Sequence, residues 1–168
     1  EQSRDLVSEL MNKVRNLSLE LRPGMLDDMG LLPALHWLLE RYETQTGLRV
    51  GFAHAGLEGQ RFAHDIETAA YRITQEALTN VARHSKATEA GIMLARANGH
   101  VVLEVSDNGV GIPAHAAQEA HSLGLLGMRE RARALNGDVR VQPGAVHGTI
   151  VAVTLPLTDP APHGELPL

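Results

Sequence analysis

The pattern of apolar and polar positions predicts four helices and five strands. Four segments carry apolar residues every three or four positions, as amphipathic helices do. These segments are residues 5–21, 31–46, 66–85 and 128–135. Five shorter segments alternate or cluster apolar residues between glycine, proline and asparagine, as strands do. They are residues 48–53, 89–96, 100–106, 138–142 and 149–155.

Glycine and proline mark the ends of several predicted elements. Pro33 suits the first turn of the second helix, and Gly47 suits its C-terminal end. The pair Asn98-Gly99 joins two strands and is the strongest short signal for a hairpin. Proline and glycine at positions 23 and 24 end the first helix, so residues 23–30 are expected to be a linker.

The first helix carries a short heptad pattern. Its apolar residues alternate between spacings of three and four: Val7, Leu10, Val14, Leu17 and Leu21. A pattern of about two heptads fits either a surface for a partner helix or a helix packed against its own domain. Both interpretations remain open at this point.

The composition narrows the class of protein. The 168 residues suit one domain, or one domain with an appendage. A net charge of −5 without a lysine–arginine cluster argues against nucleic-acid binding. The lack of cysteine excludes disulfides, thiolate metal sites and a cysteine nucleophile. No stretch has the length of a membrane span, so we expect a cytoplasmic location, and a first residue other than Met suggests a piece of a longer protein.

One candidate ligand-binding stretch follows the third strand. Residues 106–112 read Ser-Asp-Asn-Gly-Val-Gly-Ile, with Asp107 at the strand end and Gly109 and Gly111 beside it. A carboxylate there can accept a hydrogen bond from an amine such as the exocyclic nitrogen of adenine, and it would reject guanine. The glycines let the backbone approach a ligand closely. Asp-Asn-Gly is also a common turn, which explains the same residues without a ligand.

A second candidate site lies on the helix predicted at 66–85. Glu76 and Asn80 are four positions apart and share one face, and Arg83 and His84 follow one turn later. An amide oxygen suits Mg²⁺, a carboxylate can take a proton, and a cation can offset phosphate charge. A solvated polar face is the alternative explanation.

Glycines also precede the last predicted helix. Residues 124–128 read Gly-Leu-Leu-Gly-Met. Backbone amides at a helix start can donate to phosphate, helped by the positive end of the helix. The small and polar stretch 114–122 before them is expected to be a mobile cover over a site.

Together these blocks resemble the ATP-binding catalytic domain of a sensor histidine kinase, in particular the nitrate-sensing and membrane-fluidity-sensing subfamily. The blocks are residues 74–84, 106–113, 124–132 and 148–149, and the resemblance runs from about residue 21 to residue 157. It implies the fold shared with gyrase, Hsp90 and MutL. That fold is an α+β two-layer sandwich of a mixed, mostly antiparallel sheet with helices on one face, here preceded by a helical stub.

The resemblance also implies a domain organisation. Residues 1–22 would be the end of a dimerisation helix, 23–30 a linker, and 31–157 the ATP-binding catalytic domain. Residues 158–168 would be a proline-rich, disordered tail. The span between the two glycine segments would form a lid over ATP, and Ser122 stands where many relatives have another glycine.

Roles for individual residues follow from the same resemblance. Glu76 would assist proton removal or polarise the reaction, and Asn80 would bind Mg²⁺. Arg83 and His84 would lie beside the phosphates, and Asp107 would read adenine. The remaining positions, which are the two glycine segments and a hydroxyl that reaches adenine, would be Gly109, Gly111, Gly124, Leu125, Gly127 and Thr149.

The function implied by the resemblance is phosphoryl transfer. Mg-ATP would donate its γ-phosphoryl to a histidine on a dimerisation helix that this sequence lacks, for relay to an aspartate of a response regulator. The intact protein would be a homodimer, with or without a membrane anchor, whereas the fragment is expected to be a monomer. Two alternatives stay open: a non-catalytic interaction module gated by nucleotide, and a serine kinase resembling an anti-sigma factor.

Overall fold

The structure is a computed structural model that describes residues 24–112 and 123–157. Its helices are α1 (Gly24–Met29), α2 (Leu31–Thr46), α3 (His64–Asn80), a π-helical turn (Val81–Ser85) and α4 (Leu123–Arg133). Its strands are β1 (Arg49–Ala55), β2 (Glu89–Ala97), β3 (His100–Asp107), β4 (Asp138–Pro143) and β5 (Thr149–Pro156). The expected dimerisation-helix stub (1–22), most of the expected lid (113–122) and the expected tail (158–168) lie outside the described residues.

The five described strands form one mixed sheet in the order β1-β2-β3-β5-β4. β1 runs parallel to β2, and the other neighbouring pairs are antiparallel. The β2–β3 hairpin turns at Asn98 and Gly99, whose φ angles of 51° and 74° match the turn that this dipeptide favours. The predicted mixed, mostly antiparallel sheet is therefore confirmed.

One face of the sheet is buried beneath the helices. Burial alternates along β2, β3 and β5, as expected for strands with one face against the core. The buried residues on these strands are Ala90, Ile92, Leu94, Val101, Leu103, Val105, Val151, Val153 and Leu155. The opposite face carries residues such as Met93, which is 48% exposed. The arrangement is the predicted two-layer α+β sandwich.

The segment 23–30, which we expected to be a linker, contains the helix α1. Leu26 in this helix is only 1% exposed and belongs to the hydrophobic core. The prediction was wrong on this point because proline, glycine and acidic residues dominate the local pattern, whereas burial of a single leucine orders the turn. Tertiary packing can override a weak local preference in this way.

An ion pair between the buried Glu67 carboxylate and the exposed Arg61 side chain fastens α1 to the start of α3. The Arg61 guanidinium donates to both carboxylate oxygens of Glu67, at 3.1 and 3.2 Å, and to the carbonyl oxygen of Asp27 at 3.1 Å. Gly30, with φ +88°, leaves the room that the Arg61 side chain needs, because a Cβ there would lie 2.8 Å from Arg61 Cδ. The junction of α1 and α2 is therefore tied to the helix that carries Glu76 and Asn80.

The last helix begins earlier than predicted. α4 starts at Leu123 rather than at 128, so Gly124 and Gly127 lie inside the helix and not before it. Glycine is a poor helix former, which is why the pattern predicted a later start. The buried residues Leu125 and Met128, spaced by one turn, anchor the early part of the helix in the core.

Candidate nucleotide-binding site

The Asp107 carboxylate is held at the end of β3 by two backbone amides. Its Oδ1 accepts a hydrogen bond from the Gly109 N–H at 2.7 Å, and its Oδ2 accepts one from the Thr149 N–H at 3.2 Å. These bonds fix the carboxylate plane and join the end of β3 to the start of β5. Each carboxylate oxygen can accept more than one hydrogen bond, so the group keeps capacity for a ligand donor.

The loop before β5 packs directly on the residues around Asp107. Gly148 has φ +78°, and a Cβ on it would overlap the Asp107 carbonyl oxygen. Gly111, also at φ +78°, lies so close that a Cβ there would be 2.9 Å from the Gly148 carbonyl oxygen. Sequence reasoning placed Gly148 in a family block but assigned it no role. Its backbone conformation and this close approach both require glycine.

Glu76 and Asn80 end at the same place, beneath the first turn of α4. A Cβ built on Gly124 would overlap Glu76 Oε1 and would lie 3.6 Å from Asn80 Nδ2. The structure therefore brings together two blocks that are more than forty residues apart in the sequence. Gly124 is required there for space rather than for a special backbone angle.

The helix that carries Glu76 and Asn80 changes character after Asn80. We predicted one continuous helix over 66–85, whereas α3 ends at Asn80 and a π-helical turn follows over Val81–Ser85. Arg83 and His84 lie on this turn with exposed side chains. π-helical turns are rare and are frequent at functional sites.

Ser85 at the end of this turn connects the two halves of the site. Its carbonyl oxygen accepts a hydrogen bond from the Val110 N–H at 2.8 Å. A Cβ on Gly109 would overlap the same oxygen, so only glycine allows this approach. Ser85 is buried, and its hydroxyl donates to the Val81 carbonyl oxygen at 2.8 Å. Sequence reasoning missed Ser85 because the contact joins distant segments and leaves no local signal.

Asn108 fastens the loop after Asp107 to the start of β2. Its side-chain oxygen accepts hydrogen bonds from the N–H groups of Thr88 at 3.0 Å and Glu89 at 3.1 Å. This asparagine was also absent from the predicted site. Its role is to support the loop, and it provides a control for substitutions at Asp107.

Leu125 and Gly127 lie on α4, and Thr149 begins β5. The Leu125 side chain is buried in the core, and Gly127 lies against the Arg131 guanidinium, 2.9 Å from a built Cβ to Nη1. Thr149 is half-buried, and its main-chain N–H, rather than its hydroxyl, makes the contact with Asp107.

Within 24–112 and 123–157, no helix is both long and apolar enough to cross a bilayer.

Comparison with known proteins identifies the family. Residues 65–159 match the family model described as histidine kinase-, DNA gyrase B- and HSP90-like ATPase. The chain is 39% identical over 154 residues to the oxygen sensor histidine kinase NreB of Staphylococcus carnosus, covering 92% of this chain and 44% of that protein. The chain belongs to the family of histidine kinase-, DNA gyrase B- and HSP90-like ATPases, and its resemblance to the ATP-binding domains of sensor histidine kinases is confirmed.

Solved structures confirm the fold. The ATP-binding domain of PrrB from Mycobacterium tuberculosis has a TM-score of 0.58 and 20% identity, covering 77% of this chain and 92% of that chain. The histidine kinase domain of a blue-light activated kinase from Erythrobacter litoralis EL346 has a TM-score of 0.58 and 21% identity, covering 73% and 59%. Membership of an ATPase family makes ATP the expected nucleotide. The chain spans under half the length of its relative NreB, so it corresponds to one part of that protein.

Proposed function

We propose that this chain binds Mg-ATP and donates the γ-phosphoryl to a histidine on a dimerisation helix outside the chain. The observation that carries the proposal is the hydrogen bond from the Val110 N–H to the Ser85 carbonyl oxygen. It joins the residues around Asp107 to the helix that bears Glu76 and Asn80. This contact supports a single site in which Asp107 would read adenine and Glu76 and Asn80 would face the phosphates.

Asp107 is the residue that would recognise the base. Its carboxylate is oriented by the Gly109 and Thr149 amides and would accept a hydrogen bond from the exocyclic amine of adenine. Guanine presents an acceptor at that position, so two acceptors would face each other without a proton between them. The site would therefore select ATP and ADP over GTP.

The residues present also fit a magnesium ion shared with the nucleotide. Asn80 supplies an amide oxygen, and the Glu76 carboxylate ends beside it at Gly124. Mg²⁺ in nucleotide sites usually takes one or two protein oxygens and completes its shell with phosphate and water. When bound, the ion would neutralise charge on the phosphates, and Asn80 would hold it. Arg83 and His84, exposed on the following turn, would add positive charge on the phosphate side.

Catalysis would rest on positioning and charge neutralisation. As the acceptor imidazole nitrogen bonds to the γ-phosphorus, the bond from phosphorus to the bridging oxygen of ADP breaks and the imidazole loses a proton. Glu76 is the carboxylate that would accept that proton or orient the imidazole. The imidazole is itself a nucleophile, so the site needs no activated serine or cysteine.

The partners follow from this activity. They are the dimerisation helices of the intact protein and a response regulator whose aspartate receives the phosphoryl group, with no nucleic acid. We propose a cytoplasmic location, where ATP and a response regulator are available. The intact protein would be a homodimer and the fragment a monomer. The relative NreB, a sensor histidine kinase by name, supports this proposal.

Transfer to a supplied acceptor tests the proposal. We expect the wild-type chain to transfer radiolabelled phosphoryl from Mg-ATP to an isolated dimerisation helix pair of a related kinase. Asn80→Ala should reduce the rate at least about 100-fold, the scale on which loss of preorganised charge stabilisation acts. Gln45→Ala, which removes an exposed amide from α2, should leave the rate unchanged. Gel autoradiography over time measures all three.

Three results would contradict the proposal in different ways. Equal transfer by Asn80→Ala and wild type would refute the magnesium-ligand role of Asn80. ATP binding without any transfer by the wild type would favour the non-catalytic interaction module. Transfer to a serine instead of a histidine, distinguished by the acid lability of phosphohistidine, would favour the serine-kinase alternative.

A further inference from the structure

A tyrosine on α2 contacts α3 at its last turn. The Tyr42 hydroxyl lies 2.8 Å from Thr79 Oγ1, which joins residues 37 positions apart. Tyr42 is 5% exposed, so water competes little for this hydrogen bond. Thr79 directly precedes Asn80 and lies three residues after Glu76. The contact therefore lies on the helical turn that carries the Glu76 and Asn80 side chains.

The direction of this hydrogen bond follows from the neighbouring one. The Thr79 hydroxyl donates its only proton to the Gln75 carbonyl oxygen at 2.8 Å. Thr79 must then accept from Tyr42, which gives a chain from Tyr42 through Thr79 to Gln75. Burial raises the pKa of Tyr42, so its hydroxyl keeps the proton that it donates at neutral pH.

Burial raises the Tyr42 pKa most; the hydrogen bond with Thr79 and the charge of Arg83 lower it, and the charge of Glu76 raises it. A threonine hydroxyl bonded to the carbonyl four residues earlier also loosens a helix, and α3 gives way to the π-helical turn two residues later.

We propose that Tyr42 is a positioning residue for the phosphate side of the site, acting through Thr79 on the orientation of Asn80 and Glu76. The proposal rests on the proposed function, in which Asn80 binds Mg²⁺. It assigns to Tyr42 a role that its burial in the core alone would not require. The hydroxyl, rather than the ring, carries this role, because the ring could pack equally well as phenylalanine.

The test is the magnesium dependence of ATP binding. Tyr42→Phe should raise the Mg²⁺ concentration needed for half-maximal ATP affinity about fivefold, the scale of one hydrogen bond. Binding of ADP in the presence of a chelator should stay within about twofold of wild type, because Asp107 is untouched. The matched control is Tyr71→Phe, which removes a hydroxyl from a second buried tyrosine outside this chain of hydrogen bonds. It should leave both affinities unchanged.

Substitutions at Thr79 give an independent measurement on the same contact. Thr79→Ser keeps the hydroxyl and should behave as wild type. Thr79→Val removes both the contact with Tyr42 and the hydrogen bond to Gln75, so it should raise the Mg²⁺ requirement at least as much as Tyr42→Phe. The double variant Tyr42→Phe/Thr79→Val should be no worse than Thr79→Val alone, since the Tyr42–Thr79 contact is already lost in the single variant. If Tyr42→Phe fails to fold, the comparison of Thr79→Val with Thr79→Ser decides the same point.

The outcomes separate this proposal from the proposed function. Wild-type magnesium dependence in Tyr42→Phe and in Thr79→Val, together with its loss in Asn80→Ala, would overturn the role of Tyr42 and leave the function intact. Unchanged magnesium dependence in Asn80→Ala as well would show that the magnesium assignment itself fails, and the role of Tyr42 with it. A lower melting temperature with unchanged magnesium dependence would reduce Tyr42 to a packing residue and would also overturn the proposal.

Discussion

Replacing Asp107 by asparagine should weaken the binding of ATP and ADP about 100-fold, since a hydrogen bond to a charged group contributes about 1.5–3 kcal/mol. The amide that replaces the carboxylate also turns one acceptor into a donor. In its two orientations that donor would face the N–H of Gly109 or the N–H of Thr149, which donate to Oδ1 and Oδ2 of Asp107, and any adenine amine bound at the same position. Calorimetric titration of the variant with each nucleotide measures the loss.

The neighbouring asparagine provides the control for this experiment. Asn108→Ala removes hydrogen bonds to the N–H groups of Thr88 and Glu89, a backbone contact comparable to the one at Asp107. It should lower thermal stability while nucleotide affinity is retained. Wild-type affinity in Asp107→Asn, or an equal loss of affinity in Asn108→Ala, would show that Asp107 acts only as a structural residue.

Replacing Gly148 by alanine should destabilise the domain by about 3–5 kcal/mol, or prevent folding. Gly148 has φ +78°, which is unfavourable for alanine, and the new Cβ would overlap the Asp107 carbonyl oxygen. Because that oxygen belongs to the backbone of β3, it cannot move aside as a flexible side chain would. Urea denaturation followed by circular dichroism measures the change in the free energy of unfolding.

A second glycine separates the two causes of the destabilisation, which are the positive φ angle and the steric overlap. Gly59 has φ +66°, and none of the described residues has an atom within 4 Å of a Cβ built on it. Gly59→Ala should therefore cost only the conformational term, about 1–2 kcal/mol. If Gly148→Ala were no more destabilising than Gly59→Ala, that result would contradict the close packing of Gly148 on Asp107.

The sheet could be predicted from sequence because its signals are local. Period-two burial and the Asn98-Gly99 turn define β2 and β3 to within one residue of their observed ends. The mixed, mostly antiparallel sheet was implied by the family resemblance rather than by the pattern, and the order of the strands was not predicted. The helix α1 and the early start of α4 were missed because each depends on burying a leucine, Leu26 or Leu125, against residues far away in the sequence.

The site residues also divide into those that a local pattern predicts and those that depend on distant contacts. The residue types at Glu76, Asn80 and Asp107 were recognisable because each chemical group sits in a sequence block. The contacts that hold these residues in place were not recognisable, because the hydrogen bonds between Ser85 and Val110 and between Thr149 and Asp107 join segments far apart in the sequence. Which of these residues touch ATP and Mg²⁺ stays a prediction, which nucleotide titration and the Mg²⁺ dependence of ATP binding test.

Titration of the wild-type chain with ATP, ADP and GTP in the presence of Mg²⁺ tests the central claim most directly. Because Asp107 offers only hydrogen-bond acceptors, we expect heat of binding for ATP and ADP, and none for GTP at the same concentrations. Equal binding of GTP would contradict recognition of adenine by Asp107. No binding of any nucleotide by a folded chain would contradict the whole assignment and leave the site as a scaffold.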